Sequence, residues 1–465
     1  MTAVSINPSE RYRAANAGIP ALIFWIAILS LLPVAALFGG MSFLIMALAV
    51  GLAVIVWVGP QEASGAAMLY LFACSVMFPS AARLDFFAQS AWEMYYWSAG
   101  LLIITLAAVV RIGARRVFAV PTSAKAFLAV ALIAAIFGLK QGTSASYVLR
   151  QFYGVLLLVV YFGVALHTGS QGLLIRRIRT FGTLCALLFI VYFLADFAQL
   201  GFHREMTTVG TQASMLATVV FFTGLEEKRR SYVLGAIILL CVPSLIFQRR
   251  AVLTFLLALP LAAAIKLRTK KLRILSCLVF LFVALPGFVP EVADKVGEVI
   301  KATPVIASIL PAGSEASDTL LERGLQLGAA LGTVQAHPWL GTGLGSDIEW
   351  ESPVLGFLKI AYVDNGWAYL FQKMGLLGAA AFLCFLYTML RNISRESLGL
   401  SACLLAVAAV TMFSEPVFFH FTTAPFVGTF AGLLLAKKDY NRTREATVSP
   451  APGCISTASA FTEGT

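Results

Sequence analysis

Charge is scarce in this chain. Asp, Glu, Lys and Arg make up only 12% of its residues, 59% are hydrophobic, and the mean hydropathy is +0.86. That balance excludes a soluble globular domain, in which roughly a quarter of the residues are charged. Metal-ligating and redox chemistry is also thin. Of seven cysteines, Cys74, Cys185, Cys241, Cys277, Cys384 and Cys403 sit inside apolar runs, where a thiol behaves as a small hydrophobe, and Cys454 lies near the end. No C-x-x-C pair or metal-like spacing occurs, so neither a disulfide framework nor a zinc site is indicated and no metal is expected. Acidic residues are fewer than basic ones, 23 against 34, and the net charge of +11 could suggest nucleic acid. Its distribution argues otherwise. No internal repeat is visible, and no stretch interrupts the apolar runs in the way that broken transporter helices do.

What remains is apolar length. A membrane span takes about 20 mostly apolar residues, and about fourteen such runs are present. They fall at 21–38, 41–59, 63–79, 95–110, 124–138, 152–167, 180–197, 211–225, 231–247, 251–265, 273–289, 368–390, 398–414 and 422–436. The expected fold class is an all-α polytopic membrane protein of about 14 transmembrane helices with one long periplasmic loop containing short helices. Arg11 and Arg13 precede the first run and no A-x-A-like site follows it, so it reads as a span and not a cleaved signal. The loops alternate in charge. One set carries RYR, RIGARR, RRIR, EEKRR, KLRTKKLR, RNISR and KKDYNRTR, which assigns it and both termini to the cytoplasm of a bacterial inner membrane. The positive excess is therefore an orientation signal, and no nucleic-acid partner is expected.

Four regions follow: 1–289 with the first eleven spans, a periplasmic loop at 290–367, three spans over 368–436, and a Ser/Thr/Ala/Pro-rich cytoplasmic tail at 437–465 expected to be disordered. A loop as long as 290–367 inside a compact protein is usually functional. Within it EVADKVGEVI sets Val292, Val296, Val299 and Ile300 on one face, a helix lying at the interface. SDTLLERGLQLGAALGTVQAH reads as a second helix, with Thr319 and Glu322 as its capping box and Pro338 with the following glycines as its end.

Three stretches carry chemistry. In VPSLIFQRRAVLTFLLALP, residues 242–260, Arg249 and Arg250 fall at the periplasmic end of a span, where basic residues are disfavoured. A permanently charged fork suits phosphate, so a lipid diphosphate at the membrane surface is one partner for them, and snorkelling to lipid headgroups is the other reading. In ERGLQLGAALGTVQAHPWLGTGLG, residues 322–345, Arg323 opens a helix and His337 closes it, either as a base or as a helix-end residue. Gly341, Gly343 and Gly345 form a flexible, close-approach turn, and their spacing with no preceding strand excludes a dinucleotide site; no cofactor is expected. In YVDNGWAYLFQKMGLLG, residues 362–378, Asp364 and Asn365 precede a span. Asp364 is either an N-cap or a carboxylate able to accept a proton from a sugar hydroxyl. Trp367 and Tyr369 suit an aromatic belt or a sugar-stacking surface equally well. Arg150, Tyr153 and Arg204, at periplasmic span ends, are candidates for lining an anionic-substrate cavity, and His420 reads as interfacial.

The order of a span-end arginine, then Arg and a helix leading to HPWLGTGLG, then DNGWAYLFQKMGLLG resembles the O-antigen ligase / Wzy polymerase superfamily, membrane glycosyltransferases of the GT-C type. The resemblance covers roughly residues 240–380. It implies a donor glycan on undecaprenyl pyrophosphate, a glycan acceptor, no metal or nucleotide sugar, and a periplasmic active site in which Arg249 or Arg250, with Arg323, binds the diphosphate and Asp364, or else His337, takes the proton. Ligases of that family carry a His-Asn pair where this chain has Asp364-Asn365, whereas polymerases tolerate Asp. The expectation is therefore an inverting polymerase of exopolysaccharide or O-antigen repeat units, working with a possible chain-length regulator. The alternatives are an O-antigen ligase transferring glycan to lipid A-core and a lipid-linked oligosaccharide flippase.

Overall fold

A computed structural model of the chain describes residues 63–77, 90–168, 171–200, 209–245, 249–267, 314–352, 356–360, 366–391, 393, 397–414 and 418–448. The elements in chain order are α1 (Ala63–Met77), α2 (Ser90–Ile112), α3 (Ala114–Val117), α4 (Thr122–Lys140), α5 (Ala145–Thr168), α6 (Gln171–Arg177), a π-helical turn Ile178–Gly182, α7 (Thr183–Leu200), α8 (Val209–Glu226), α9 (Arg230–Leu245), α10 (Arg249–Leu267), α11 (Ser314–Ala336), β1 (Ile348–Ser352), β2 (Gly356–Ile360), α12 (Gly366–Leu390), α13 (Leu398–Ser414) and α14 (Ala424–Val448). The chain is mostly helical. Three helices, Thr122–Lys140, Ala145–His167 and Gly366–Leu390, are long and apolar enough to cross a membrane, and shorter apolar helices accompany them. Large apolar side chains face outward in stripes, such as Leu132, Ile133 and Ile136 on α4 and Leu102, Leu106 and Val110 on α2. In water such stripes would be a liability, and lipid is their natural solvent.

Of the fourteen runs expected to span, those at 21–38, 41–59 and 273–289 lie outside the described residues, and each of the others falls on a helix. The interfacial helix expected at 290–300 also lies outside them.

The core is a bundle in which α14 lies along α5, α8 against α9, α10 against α13, and α12 between α4 and α11. Small residues allow the close pairs: a Cβ at Gly428 or Gly432 of α14 would collide with the Leu158 or Phe162 carbonyl of α5, the G-x-x-x-G logic of helices that pack without a hydrophobic driving force. From Val209 to Val220, α8 is buried all round and stands at the centre. Two of its buried polar side chains donate to backbone carbonyls of other segments. Gln212 Nε2 donates to Thr422 O at 2.9 Å, and the Ser214 hydroxyl donates to Ala251 O. Beside it Phe127, Phe382, Phe385, Phe418 and Phe419 form an aromatic cluster with centroids 5.2–6.4 Å apart.

Four expectations need correction. The helix expected to start at Thr319 already runs from Ser314, so Thr319 and Glu322 lie inside it. The helix breakers are Pro311 and Gly313, and nothing between them and Thr319 stops a helix. The 290–367 loop contains more than short helices: β1 and β2 pair antiparallel, Ile348 opposite Ile360 and Ser352 opposite Gly356, with Ile348, Trp350 and Ser352 turned inward. α14 continues to Val448, into the stretch expected to be a disordered tail, because KKDYNRTREATV holds no Gly or Pro. Finally, a helix is broken. α12 departs from helical geometry at Gly375, with φ 60° and ψ −159°.

Candidate functional site

The break in α12 and the HPWLGTGLG turn are one structure. α11 ends where the His337 N–H reaches Thr333 O at 2.8 Å, and His337 O then accepts the Gly341 N–H at 3.0 Å. Beyond Gly375, the Leu376 and Leu377 amides have lost their helical acceptors and donate instead to Pro338 O and Trp339 O, at 2.9 and 3.2 Å. On the other side of the break the orphaned Gln372 carbonyl accepts the Thr342 N–H at 2.7 Å and its hydroxyl at 3.1 Å. Non-helical backbone at membrane depth persists only where protein satisfies it, and here the loop does so.

The turn's glycines are clamped and not flexible, which corrects half of the expectation and supports the close approach. Gly341, Gly343 and Gly345 have φ of 62°, 86° and 83°. A Cβ on Gly341 would strike the Gln372 carbonyl of α12, one on Gly343 the Gly138 backbone of α4, and one on Gly345 Val148 of α5. Leu344 N–H donates to Ala134 O at 3.0 Å, and Gly345 N–H to Gln151 Oε1 at 2.6 Å. Three helices are therefore held by one nonapeptide. Past it, Ser346 Oγ returns to Gly343 O at 2.8 Å and Gln372 Nε2 donates to Asp347 O at 2.6 Å, which delivers the chain to β1. In the hairpin Lys359 Nζ bonds Glu349 Oε1 at 2.7 Å, and this hydrogen bond raises the lysine above its ordinary pKa.

Further contacts gather helix starts at this end of the bundle. Tyr369 of α12 stacks on Phe419 at 4.9 Å, and a Cβ on Gly154 of α5 would strike the Phe419 carbonyl. The same turn, through Thr422, holds Gln212 at the start of α8, and Ser214 holds Ala251 in the first turn of α10.

The candidate residues distribute as follows. Arg249 and Arg250 open α10 at this end, and their side chains fall outside what is described. Arg150 and Tyr153 are half-buried in the first turns of α5, flanking the Gln151 that grips Gly345. Trp367 is half-buried and stacks on Phe371 at 6.2 Å. Arg323 lies in α11, its side chain undescribed, fourteen residues before exposed His337. That is about 21 Å along the helix axis, so these two are separated and not brought together. Asp364, Asn365 and Arg204 lie outside the described residues. His420 Nδ1 and the Thr422 hydroxyl are 2.7 Å apart, and His420 O accepts the Ala424 N–H that starts α14. Among the described residues no group of His, Cys, Asp and Glu is arranged to hold a metal.

Two polar residues of this end escaped notice in the sequence. Gln372 and Lys373 are buried in the first half of α12, with Lys373 wholly so. The signal was a Gln-Lys pair inside an otherwise apolar run, where an ionisable residue marks function by default.

Residues 234–383 match the model of the O-Antigen ligase family (Wzy_C). The matched segment runs from α9 through α10, α11, the glycine clamp and the hairpin into α12. It supports the O-antigen ligase/Wzy-type superfamily, a ligase- or polymerase-like function on lipid-linked glycans, and a bacterial integral membrane protein. A search of curated proteins found no match.

Proposed function

From an O-antigen ligase domain at residues 234–383, we propose that the protein is an inverting glycosyltransferase that polymerises undecaprenyl-pyrophosphate-linked repeat units on the periplasmic side of the inner membrane. The observation that carries this reading is the matched segment itself, since it contains Arg249, Arg250, Arg323, His337, Asp364 and Asn365 together. The clamp supports it by tying the turn after His337 to α12, the helix that Asp364 and Asn365 precede in sequence.

In this mechanism Arg249 or Arg250, with Arg323, grips the diphosphate and stabilises the charge that grows on it as the glycosidic bond breaks. The acceptor hydroxyl attacks the anomeric carbon from the opposite face, which inverts it. Asp364 takes the hydroxyl proton. His337 is the weaker candidate, since it lies far along α11 from Arg323 and its backbone closes the helix. The diphosphate is already a good leaving group, so positioning contributes more than basicity.

Asp364 in place of the family ligases' histidine favours polymerase over ligase. Glycan length in a deletion strain tests this. Single repeats left on the carrier are the expected result, while long glycan stranded on undecaprenyl pyrophosphate would make the protein a ligase. An expected lack of broken helices counted against a flippase, and α12 is broken, so that objection falls. The family match nevertheless favours transfer over transport.

A further inference from the structure

One face in the first half of α12 carries buried polar atoms that lack partners among the described residues. Among the described residues Tyr369 Oη, Gln372 Oε1 and Lys373 Nζ have no hydrogen-bond partner. Among the described residues Lys373 forms no ion pair, and the charge of Asp347 acts on it. Tyr369 is 2% exposed, Gln372 1% and Lys373 0%. Spaced i, i+3 and i+4, they stand on one face of one helical turn, with Cβ atoms roughly 5–6 Å apart. A lysine sealed in an apolar bundle is costly to keep charged without an anion, and a lone phenol or amide oxygen adds to that cost. This expense lies within the matched segment, immediately after Asp364 and Asn365 and immediately before the break at Gly375.

The three groups are complementary to one kind of ligand. Lys373 and Tyr369 offer an ammonium and a hydroxyl donor to a single carboxylate, and Gln372 offers an acceptor to a neighbouring hydroxyl. A carboxylate beside hydroxyls is the chemistry of a sugar acid. A diphosphate offers no hydroxyl donor to Gln372 Oε1 and has the arginines of the proposed mechanism instead.

We propose that Tyr369, Gln372 and Lys373 form a subsite for an acidic sugar of the glycan substrate, so that the protein works on repeat units carrying a hexuronic acid. The inference rests on the glycan-transfer reading and names its substrate class. Gln372 Nε2 donates to Asp347 O beside this face, and admitting the acid would displace that contact.

The test is binding and not transfer, which keeps the two readings apart. Full-length protein in lipid nanodiscs is titrated with an undecaprenyl-pyrophosphate-linked oligosaccharide containing glucuronic acid and with its carboxyl-reduced form. The wild type is expected to bind the acid form more tightly by about ten- to a hundredfold, the range of charge-assisted hydrogen bonds. Lys373→Met should bind both forms alike, Lys373→Arg should keep the preference, and Lys359→Met on the exposed hairpin should leave it unchanged. Tyr369→Phe removes one hydroxyl at constant packing and should weaken the preference severalfold, so the test survives a folding defect in Lys373→Met. Equal wild-type affinity for the two forms, or a preference that persists in both Lys373→Met and Tyr369→Phe, overturns the proposal. Discrimination by a protein that transfers no glycan would leave this subsite standing and overturn the polymerase reading.

Discussion

At the scale of single residues, the proposed chemistry depends on permanent charge and on one carboxylate. Replacing Arg249, Arg250 and Arg323 together by alanine should reduce polymer formation by two orders of magnitude or more, about what losing preorganised transition-state contacts costs. Normal polymer from that variant, at normal membrane abundance, would leave the arginines as lipid anchors. Asp364→Asn keeps the hydrogen-bonding shape and removes the base, so turnover should fall at least tenfold while donor binding holds; undiminished turnover would make Asp364 a helix cap. These residues were legible because each is a polar departure from an apolar background in a recognisable order. Lys373 was equally visible and went unread. Its significance comes from burial without a partner among the described residues, and periodicity cannot tell a lysine that snorkels out from one that points in. The three glycines were read as close-approach residues, yet the partners they approach, Gln372, Gly138 and Val148, are distant in sequence or on another helix and left no local trace.

At the scale of elements, apolar length found the helices and missed what interrupts them. The hairpin had a period-two signal in Ile348, Trp350 and Ser352, but five residues within a long loop are few for that pattern to stand out. The break in α12 had none, since Gly375 is one glycine among apolar neighbours and the break exists only because Pro338 and Trp339 supply the replacement acceptors. Two substitutions test this account. Gly375 sits at φ 60° with the Trp339 and Gly341 backbones inside contact distance of a Cβ, so Gly375→Ala meets both a left-handed penalty and a clash. It should destabilise the protein by more than about 2 kcal/mol. Gly332, near the C-terminal end of α11 with open space around it, has neither problem. Gly332→Ala should stabilise by about 0.5–1 kcal/mol, the helical difference between the two residues. Thermal denaturation in detergent reads both, and equal effects would mean that the loop does not hold the break.

At the scale of the whole molecule, the two ends of the bundle differ in kind. One end gathers the starts of α5, α8, α10 and α12, the glycine clamp and the 418–424 turn, and it is rich in buried polar contacts. The other is basic. Arg111 closes α2, Arg115 and Arg116 lie in α3, Arg176 and Arg177 close α6, and Arg179 reaches Ser231 at 3.4 Å and lies over Tyr232. This segregation is what the alternation of basic loops anticipated, and it predicts which end faces the cytoplasm. In a background with the native cysteines replaced by alanine, a cysteine at exposed Phe357 in the hairpin should react with a membrane-impermeant maleimide in intact spheroplasts. One at exposed Arg115 should react only after permeabilisation. The donor glycan of the proposed reaction is presented on the periplasmic face, so the orientation and the function stand together. The opposite labelling pattern would put the clamp and the Arg249–Arg250 helix start in the cytoplasm, out of reach of a flipped lipid-linked glycan, and would remove the polymerase reading however well the segment matches its family.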